Sequence, residues 1–515
     1  MKTFYRIGTL WLLAACAEAQ VPVPTETIAI TAAPPSSATG ELFVLKAGTN
    51  TAFLHNPVLV VEGFDLDNSM NWPELYALLN KENLVEEILS FGRDLIVLNF
   101  SDSTLNIHSN AALNAEAINY IQARRADPLD KFTAIGASLG GLTLRMALAD
   151  MPDHDVDAWI SFDSPHEGAN IPLGVQEYLE FFGSYNQAAA DLLDALDRPA
   201  ARQMLIAHHD HSDGQAGGSL PERADYAAAL NAIGYPAECK GIAISNGSGL
   251  GTKQPFAAGE KVINWTDSGG IFDPDIESAV YALPQTSGVV FAAEVRLIIP
   301  IDSTTVNTYH PLPLDNAPGG TRGTFLQLYT NIPPDQISGD DFCNYTNHCF
   351  IPTVSALGIP LQHIESNLAV HATLLDLSPF DEIHYAVTNE PHVEINPRNK
   401  RWIMRAILED HDSDNDGLDD YQEFLLGTDY LSSDETLPIE LALTADAGAF
   451  TVSWHALPNA GYQVWYTPEL GTEWTLIDTL APAPDDAVTN TYLYPETNRT
   501  GFIYVSGYPV DPVID

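Results

Sequence analysis

Short runs of apolar residues alternate with helix-like stretches between residues 45 and 408. The apolar runs are bounded by turn residues and are too short for helices, which predicts buried strands. They include residues 57–61, 95–98, 132–135, 158–162 and 239–244, and the helix-like stretches include residues 84–89 and 111–124. Strands without a polar face, separated by helices, indicate a parallel sheet covered by helices on both sides. Residues 289–299 and 324–329 are predicted to add further β structure.

The C-terminal part of the chain has a different pattern. Apolar and polar residues alternate one by one at 450–454, 462–466, 474–477 and 502–505, with turn residues between the runs. This alternation is typical of half-buried antiparallel strands. Residues 437–515 are therefore predicted to form a small antiparallel β-sandwich. It is either a spacer or a module that contacts a surface or polymer through exposed Trp and Tyr side chains.

The strongly acidic net charge argues against nucleic-acid binding. The 515 residues include 69 Asp and Glu against 22 Lys and Arg, for a formal net charge of -47. Such a surface repels phosphate groups, so nucleic acid is not an expected partner. The acidic balance fits a protein that works in a salty or calcium-containing exterior.

Residues 1–19 have the pattern of an export signal, with a positively charged start and an apolar stretch too short to span a membrane. Residues 13–16 resemble a bacterial lipobox, which would leave Cys16 as a lipid anchor, and residues 17–19 resemble an ordinary cleavage site. Both readings remain open. Residues 20–44 follow as a linker, and we expect a secreted protein or a cell-surface or outer-membrane lipoprotein of a bacterium.

The strongest chemical signal is a G-x-S-x-G motif centred on Ser138, with an apolar strand before it and a helix after it. This context predicts a nucleophile elbow, in which a sharp turn lifts the serine hydroxyl above the sheet. Gly136 and Gly140 are expected because a Cβ there would collide with neighbouring backbone. The helix N-terminus would direct backbone N–H groups at a developing oxyanion.

Residues 45–405 resemble the α/β-hydrolase fold, in particular its lipase and esterase branch. The resemblance rests on the segment 61–65, where Glu62 replaces the histidine common in lipases, on the Ser138 motif, and on residues 163–169, which are similar to a Thr-Pro-His-x-Gly loop. It implies a doubly wound, mostly parallel sheet with a helical cap or lid, expected at residues 176–211. It also implies an oxyanion hole made by the backbone N–H groups of Phe64 and Leu139.

The order serine, acid, histidine along this fold identifies the remaining catalytic candidates. His392 lies in a loop after the last strand-like run and is the expected base, with His384 and His166 as rivals. Asp381 is the expected acid, although it precedes the strand predicted at 382–387 and would lie at that strand's opposite end. Three further acids stay open: Asp341, Asp302 and Asp267.

Residues 412–423 have the spacing of an EF-hand or dockerin-like calcium loop. Alternating carboxylates, a glycine at the sixth position and a closing glutamate provide the hard oxygen ligands that Ca²⁺ prefers. The expected ligands are Asp412, Asp414, Asp416, the carbonyl of Leu418, Asp420 and Glu423. Residues 409–430 are predicted to be a structural calcium joint between the hydrolase and the sandwich.

Taken as a sequence, the chain is expected to be an exported serine hydrolase of carboxylic esters. It would use Ser138, His392 and an aspartate through an acyl-enzyme, with no cofactor for the chemistry. An acyltransferase or a serine peptidase on the same fold, and a non-catalytic adhesive surface protein with a degenerate hydrolase domain, are the alternatives.

Overall fold

The computed structural model describes residues 21–49, 52–65, 68–128, 130–211, 220–268, 274–330, 332, 342–409 and 411–432. In the C-terminal part it describes residues 442–446, 449–455, 459–467, 473–482, 489–494 and 502–509. The predicted signal peptide, Cys16 and the candidate acid Asp341 lie outside these residues. Within the described part of the chain, no helix has both the length and the apolar character needed to cross a bilayer.

The helices and strands follow one another in the order α/β proteins show. The first half contains β1 (Glu26–Thr31), β2 (Thr39–Leu45), β3 (Val58–Val61), α1 (Trp72–Leu79), α2 (Leu84–Ser90), β4 (Leu95–Phe100), α3 (Ile107–Arg124), β5 (Phe132–Ala137), α4 (Leu139–Asp150), β6 (Val156–Phe162), α5 (Leu173–Gly183), α6 (Gln187–Leu196), α7 (Pro199–Met204), α8 (Pro221–Ile233) and β7 (Lys240–Ser248).

The second half begins with more β structure. It contains β8 (Lys261–Asp267), β9 (Asp275–Tyr281), β10 (Gly288–Arg296), β11 (Pro300–Thr308), β12 (Gly319–Arg322), α9 (Thr324–Thr330), β13 (Phe342–Cys343), β14 (His348–Pro352), α10 (Thr353–Ala356), β15 (Glu382–Ala386), α11 (Pro397–Leu408), α12 (Asp420–Leu426), β16 (Ala442–Asp446), β17 (Ala449–His455), β18 (Ala460–Thr467), β19 (Thr475–Leu480), β20 (Thr489–Tyr494) and β21 (Phe502–Pro509).

The central sheet has the strand order β1-β2-β4-β3-β5-β6-β7-β15. Its strands from β4 to β15 pair in parallel, whereas β1 and β2 form an antiparallel edge. The predicted, mostly parallel sheet is therefore confirmed. The carboxyl ends of parallel strands meet at one edge, which is where such sheets place their sites.

The strands are apolar throughout because both faces of the sheet are covered. Leu59 and Val61 of β3 enter a core shared with α3 and α4, whereas the alternating Val58 and Val60 enter a second core with α1, α2 and α11. Side chains of a strand point alternately to the two faces, so neither face tolerates polar residues.

A cap formed by α5 to α7 and a second, antiparallel sheet joins this scaffold. That sheet has the order β11-β10-β9-β8-β13. The aromatic side chains of α5 pack on it, with ring centroids 5.9 Å apart for Tyr178 and Phe291 and 5.6 Å apart for Phe182 and Trp265. The stretch predicted as a cap or lid thus packs as a cap. The strand predicted at 324–329 is wrong: α9 forms there, because Phe325 and Leu328, three residues apart, are buried together.

Two antiparallel sheets follow in the C-terminal part, with the orders β16-β17-β20 and β19-β18-β21. Trp454 of β17 and Tyr462 of β18 share one apolar cluster, so residues of both sheets contact each other. Leu426 of α12 joins the same cluster, while its neighbour Leu425 belongs to the core below the central sheet. Helix α12 therefore connects the two parts of the chain. The sandwich arrangement and the domain boundaries remain predictions.

Candidate active site

Ser138 lies on a strained turn between β5 and α4. Its backbone has φ 53° and ψ -119°, a region that side-chain-bearing residues rarely adopt and that costs about 1–3 kcal/mol. The two motif glycines permit this turn. A Cβ on Gly136 would lie 2.5 Å from the carbonyl carbon of Gly140, and one on Gly140 would lie 2.4 Å from the oxygen of Val61. The local geometry is that of a nucleophile elbow.

A chain of hydrogen bonds runs from Ser138 through His392 to Asp163. The distance from Ser138 Oγ to His392 Nε2 is 2.9 Å, and that from His392 Nδ1 to Asp163 Oδ2 is 2.7 Å. Because a carboxylate can only accept, Nδ1 carries the imidazole proton and Nε2 accepts from the serine hydroxyl. This arrangement orients the ring and leaves Nε2 free to take a proton.

The loop that carries His392 is tied to the sheet edge. His392 N–H donates to Thr321 O at 2.9 Å, and the Asn246 side-chain amide donates to Pro391 O at 2.7 Å. The loop lies between β15 and α11. The structure therefore places His392 where the sequence predicted the base to be.

Asp163 is fully buried and immediately follows β6. Its Oδ1 accepts from Asn246 N–H at 3.1 Å and from Ser245 Oγ–H at 3.2 Å, in addition to the His392 bond on Oδ2. A Cβ on Gly320 would lie only 2.1 Å from Oδ2, so β12 covers the carboxylate with bare backbone. Three donors of this kind stabilise a charged carboxylate in the interior.

The expectation that Asp381 partners His392 is wrong. Asp381 Oδ2 instead accepts from Gly241 N–H at 2.7 Å, at the amino ends of β7 and β15. The carboxyl ends of these parallel strands, where Ser138 and His392 lie, are on the opposite edge of the sheet. Of the open alternatives, Asp302 accepts from the Tyr185 hydroxyl at 2.8 Å, and Asp267 ends β8 in the cap.

The rival histidines have other partners. His384 Nε2 lies 2.7 Å from Glu382 Oε1, and its ring stacks on Trp402 with centroids 4.7 Å apart. His166 Nε2 lies 2.7 Å from Ser161 Oγ, inside the core, and burial lowers its pKa well below the usual value. Both side chains therefore have structural contacts away from Ser138.

One signal in the sequence could have identified Asp163. It directly follows the apolar strand 158–162, and this strand is the next one along the chain after the elbow strand. The carboxyl ends of neighbouring parallel strands adjoin, so an acid there is close to the elbow.

The backbone N–H groups expected to form an oxyanion hole flank Ser138. Leu139 is the first residue of α4, so its N–H belongs to the group that has no partner within the helix. The loop after β3 passes close to the serine, since a Cβ on Gly63 would lie 3.1 Å from Ser138 Cβ. Phe64 is the next residue in this loop and also lines the cavity that contains Ser138.

A cavity of about 430 Å³ opens at Ser138 and His392 and extends below α1 and α2. Its far part is apolar, and its lining there includes Val60, Leu75, Leu79, Leu84, Val85, Ile88, Leu95, Val97, Ile135 and Ile403. Such a lining suits a hydrocarbon group and excludes charged groups. The cavity therefore offers a hydrophobic binding arm beside the serine.

Glu62 is a buried acid at the start of the loop after β3. Its Oε1 accepts from Phe100 N–H, while Oε2 has no hydrogen-bond partner among the described residues. Burial raises the pKa of Glu62 to about 8, with a smaller contribution from Asp65. At neutral pH the side chain is therefore a neutral acid that links this loop to the end of β4.

The acidic loop before α12 gathers part of its expected ligand set. Oxygen atoms of Asp412, Asp414 and Asp416 lie within 4.8 Å of one another, and Glu423 is fully buried. The expectation for Asp420 is wrong in this structure. Its carboxylate is not part of this oxygen cluster; it pairs with Arg93 at 3.1 Å and accepts from the Ser413 hydroxyl at 2.9 Å.

Comparison with known proteins agrees with this geometry. A family model described as palmitoyl protein thioesterase matches residues 57–195, the segment from β3 to α6 that contains Ser138 and Asp163. This match and the strand order together support an α/β-hydrolase fold. The chain has an α/β-hydrolase fold. The comparison with curated proteins gives no match.

Solved structures similar to this chain include three esterases or lipases. Est1E from Butyrivibrio proteoclasticus is 14% identical, with 26% of this chain and 51% of that chain covered and a TM-score of 0.21. Aspergillus fumigatus lipase B is 20% identical, with 38% of each chain covered and a TM-score of 0.25. The hyperthermophilic esterase from the archaeon Pyrobaculum calidifontis is 14% identical, with 44% and 66% covered and a TM-score of 0.27. The chain thus spans about half of the length of Est1E.

Proposed function

We propose that this protein is a serine hydrolase that cleaves carboxylic esters through an acyl-enzyme. The observation that carries the proposal is the continuous hydrogen-bond chain from Ser138 through His392 to the buried Asp163. A serine hydroxyl is a weak nucleophile until a base removes its proton, and this chain supplies the base with its orienting acid.

Each group has a defined task in the reaction. Ser138 Oγ attacks the ester carbonyl while His392 Nε2 takes its proton, and Asp163 stabilises the resulting imidazolium. The N–H groups of Phe64 and Leu139 donate to the oxyanion of the tetrahedral intermediate. His392 then protonates the leaving alcohol, and water repeats the sequence to release the acid.

The apolar arm of the cavity is proposed to hold the acyl chain. It begins at Ser138 and is lined by aliphatic side chains of α1, α2 and the central strands. Each buried methylene gains about 0.8 kcal/mol. We therefore expect kcat/KM to rise with acyl length until the arm is filled.

Acyl thioesters are a second candidate substrate class. The match to a family model described as palmitoyl protein thioesterase over residues 57–195 favours them, as does the apolar arm. A thiolate leaves more readily than an alcoholate, so the same serine chemistry serves both ester types. Oxygen and sulfur esters of one acyl chain, assayed in parallel, decide between them.

We further propose that the acidic loop holds a structural Ca²⁺. Asp414 Oδ2 is buried without a hydrogen-bond partner among the described residues, as expected for an oxygen that coordinates a cation. The ion would be held by Asp412, Asp414, Asp416, Glu423 and the Leu418 carbonyl, and its charge would neutralise the cluster.

We also propose that the protein is exported to a calcium-containing exterior, with or without lipid on Cys16. Residues 437–515 would form a sandwich that acts as a spacer or contacts a surface.

Turnover of p-nitrophenyl esters by the wild type and Ser138→Ala tests the proposed function. Loss of the nucleophile should lower kcat/KM by about 10⁴-fold or more, since the triad acts as a unit. Unchanged far-UV circular dichroism of the variant separates this loss from unfolding, and Ser287→Ala, at an exposed serine between β9 and β10, is a matched control outside the cavity.

The outcomes also separate the alternatives. Undiminished turnover by Ser138→Ala would overturn the proposal, and a wild type inert toward every ester would favour an adhesive protein with a degenerate hydrolase domain. Preferred transfer to an added alcohol over water would identify an acyltransferase, and cleavage of amide substrates would identify a peptidase.

A further inference from the structure

Arg322 is a charged residue of the active-site cavity and is not part of its apolar arm. It ends β12, two residues after the glycine that covers Asp163, and lines the same cavity as Ser138 and His392. Its guanidinium lies 5.1 Å from the centre of the Phe350 ring, and that ring contacts the His392 imidazole edge-on with centroids 4.8 Å apart. The three side chains form a row that starts at the catalytic base.

The guanidinium has no anionic partner there. No carboxylate or carbonyl oxygen accepts from the Arg322 side chain among the described residues, and its side chain is only partly exposed. Acids outnumber bases three to one in this chain, and other arginines such as Arg93 and Arg124 have paired carboxylates. A desolvated cation is costly, so a site that keeps one unpaired is suited to receive an anion.

Neighbouring acids do not cancel this charge. Glu394, which also lines the cavity, pairs with Lys81 at 2.9 Å, and Glu390 pairs with Arg398. Glu62 is neutral at pH 7 because burial raises its pKa to about 8. Asp163 accepts from His392, Ser245 and Asn246, so none of these acids pairs with the Arg322 guanidinium.

The row also has a direction relative to the substrate. His392 delivers its proton to the leaving group, so the leaving group must lie beside the imidazole. The acyl chain fills the apolar arm, where a charge would be expelled. Phe350 contacts the imidazole and Arg322 contacts Phe350, so a leaving group held beside the imidazole would extend toward these two side chains.

We propose that Arg322 binds a negatively charged group, a carboxylate or phosphate, on the leaving part of the substrate. The proposal rests on the proposed function and narrows its substrates to esters or thioesters of anionic alcohols or thiols. Phe350 would hold the apolar link between the scissile bond and the anion. Arg322 is thus a specificity-determining residue, since its planar fork of donors matches both anions.

The test compares three esters with the same butanoyl group and nearly the same leaving group. They are 4-(butanoyloxy)benzoate, the neutral 4-(butanoyloxy)benzamide and 4-(butanoyloxy)phenyl phosphate. The measured quantity is the ratio of kcat/KM for each anionic ester to that for the neutral one. It is determined for the wild type, Arg322→Gln, Arg322→Lys and Arg296→Gln, whose exposed arginine pairs with Glu294 away from the cavity.

The ratio should fall roughly 10- to 100-fold in Arg322→Gln, the range expected for a charge-assisted contact. Arg322→Lys should keep part of the preference, and Arg296→Gln should keep all of it, although it removes the same charge. An equal ratio in wild type and Arg322→Gln would overturn the proposal. The phosphate and carboxylate esters show which anion the site prefers.

Wild-type enzyme alone gives an independent measurement if Arg322→Gln does not fold. The preference for the anionic esters should fall between low salt and about 1 M NaCl, where the screening length shrinks to about 3 Å. A wild type that prefers the neutral ester at every salt concentration would also overturn the proposal. Failure to cleave even the neutral ester would instead refute the proposed function itself.

Discussion

Two acidic regions of this protein differ in the groups that surround and stabilise their carboxylates. Asp163 is fully buried, and neutral or imidazole donors fixed on the sheet edge occupy both of its oxygens. The cluster of Asp412, Asp414 and Asp416 is half-exposed, and its oxygens accept N–H groups from the cluster's own turn, such as those of Asp416, Gly417 and Leu418.

The difference separates a preorganised site from one that needs an ion. At Asp163 the hydrogen-bond donors come from β7 and from the loop after β15, and β12 covers the carboxylate. These elements are far apart in sequence, so the complete fold holds the charge in place. In the acidic loop, like charges meet within a few residues, and a cation must offset their repulsion. Each region therefore predicts its own response to mutation and to solution conditions.

Between the two acidic regions, the largest effect is expected from Asp163→Asn. The amide cannot hold the His392 tautomer that leaves Nε2 free, so kcat should fall by about 10³- to 10⁴-fold. Steady-state kinetics on the best ester found for the wild type measure this loss.

Asp381→Asn is the matched control, because Asp381 only accepts from Gly241 N–H at the opposite sheet edge. Its kcat should stay within a few-fold of the wild type. Equal losses in the two variants would erase the distinction between a catalytic carboxylate and a structural one.

An intermediate effect is expected from calcium. An ion bound only by the folded chain adds about 2.7 kcal/mol at a concentration 100 times its Kd, which corresponds to several °C in Tm. Calorimetry with CaCl₂ and with chelator should show this shift in the wild type. Asp414→Asn should lose most of it, whereas Asp150→Asn, an exposed acid at the end of α4, should keep it.

The effect of chelator on turnover is expected to differ from its effect on Tm. No residue of the 412–423 loop lies in the Ser138 cavity, so chelator should change kcat little while Tm falls. Immediate loss of turnover with an unchanged Tm would place the metal at the active site and contradict the proposed joint.

The smallest effect, for a step of one pH unit, concerns Glu62, a buried carboxyl with fewer donors than Asp163. Its pKa is raised from 4.5 to about 8, so the unfolded chain binds fewer protons than the folded one between these values. Wild-type stability should therefore decrease with rising pH in this window, by up to about 1.4 kcal/mol per pH unit. Glu62→Gln does not titrate and should gain stability relative to the wild type from pH 5 to pH 8, measured by urea unfolding. An identical pH slope for both proteins would refute the buried-acid assignment.

Local sequence patterns were sufficient for much of the catalytic edge. The elbow at Ser138 depends on adjacent glycines and on a strand and helix that are contiguous in sequence. His392 follows the last strand directly, and the apolar runs that face two cores identified the central sheet.

Contacts between residues far apart in sequence could not be predicted from local patterns. Asp163 meets His392, 229 positions away, only because β6 and β15 flank β7 in one parallel sheet. Asp420 fits a calcium pattern in sequence, yet its carboxylate accepts a hydrogen bond from Arg93, which is 327 positions away. The α9 segment is a short apolar run that suits a strand as well as a helix, and tertiary packing of Phe325 and Leu328 favours the helix.

The most direct test of the Ser138–His392–Asp163 assignment is the rate at which a fluorophosphonate labels the protein, followed by intact mass. This rate reports nucleophile activation without knowledge of the natural ester. We predict one adduct at Ser138 in the wild type and in Asp381→Asn, none in Ser138→Ala, and labelling at least about 100-fold slower in Asp163→Asn. Equal labelling of Asp163→Asn and wild type, or an adduct on Ser138→Ala, would contradict the account.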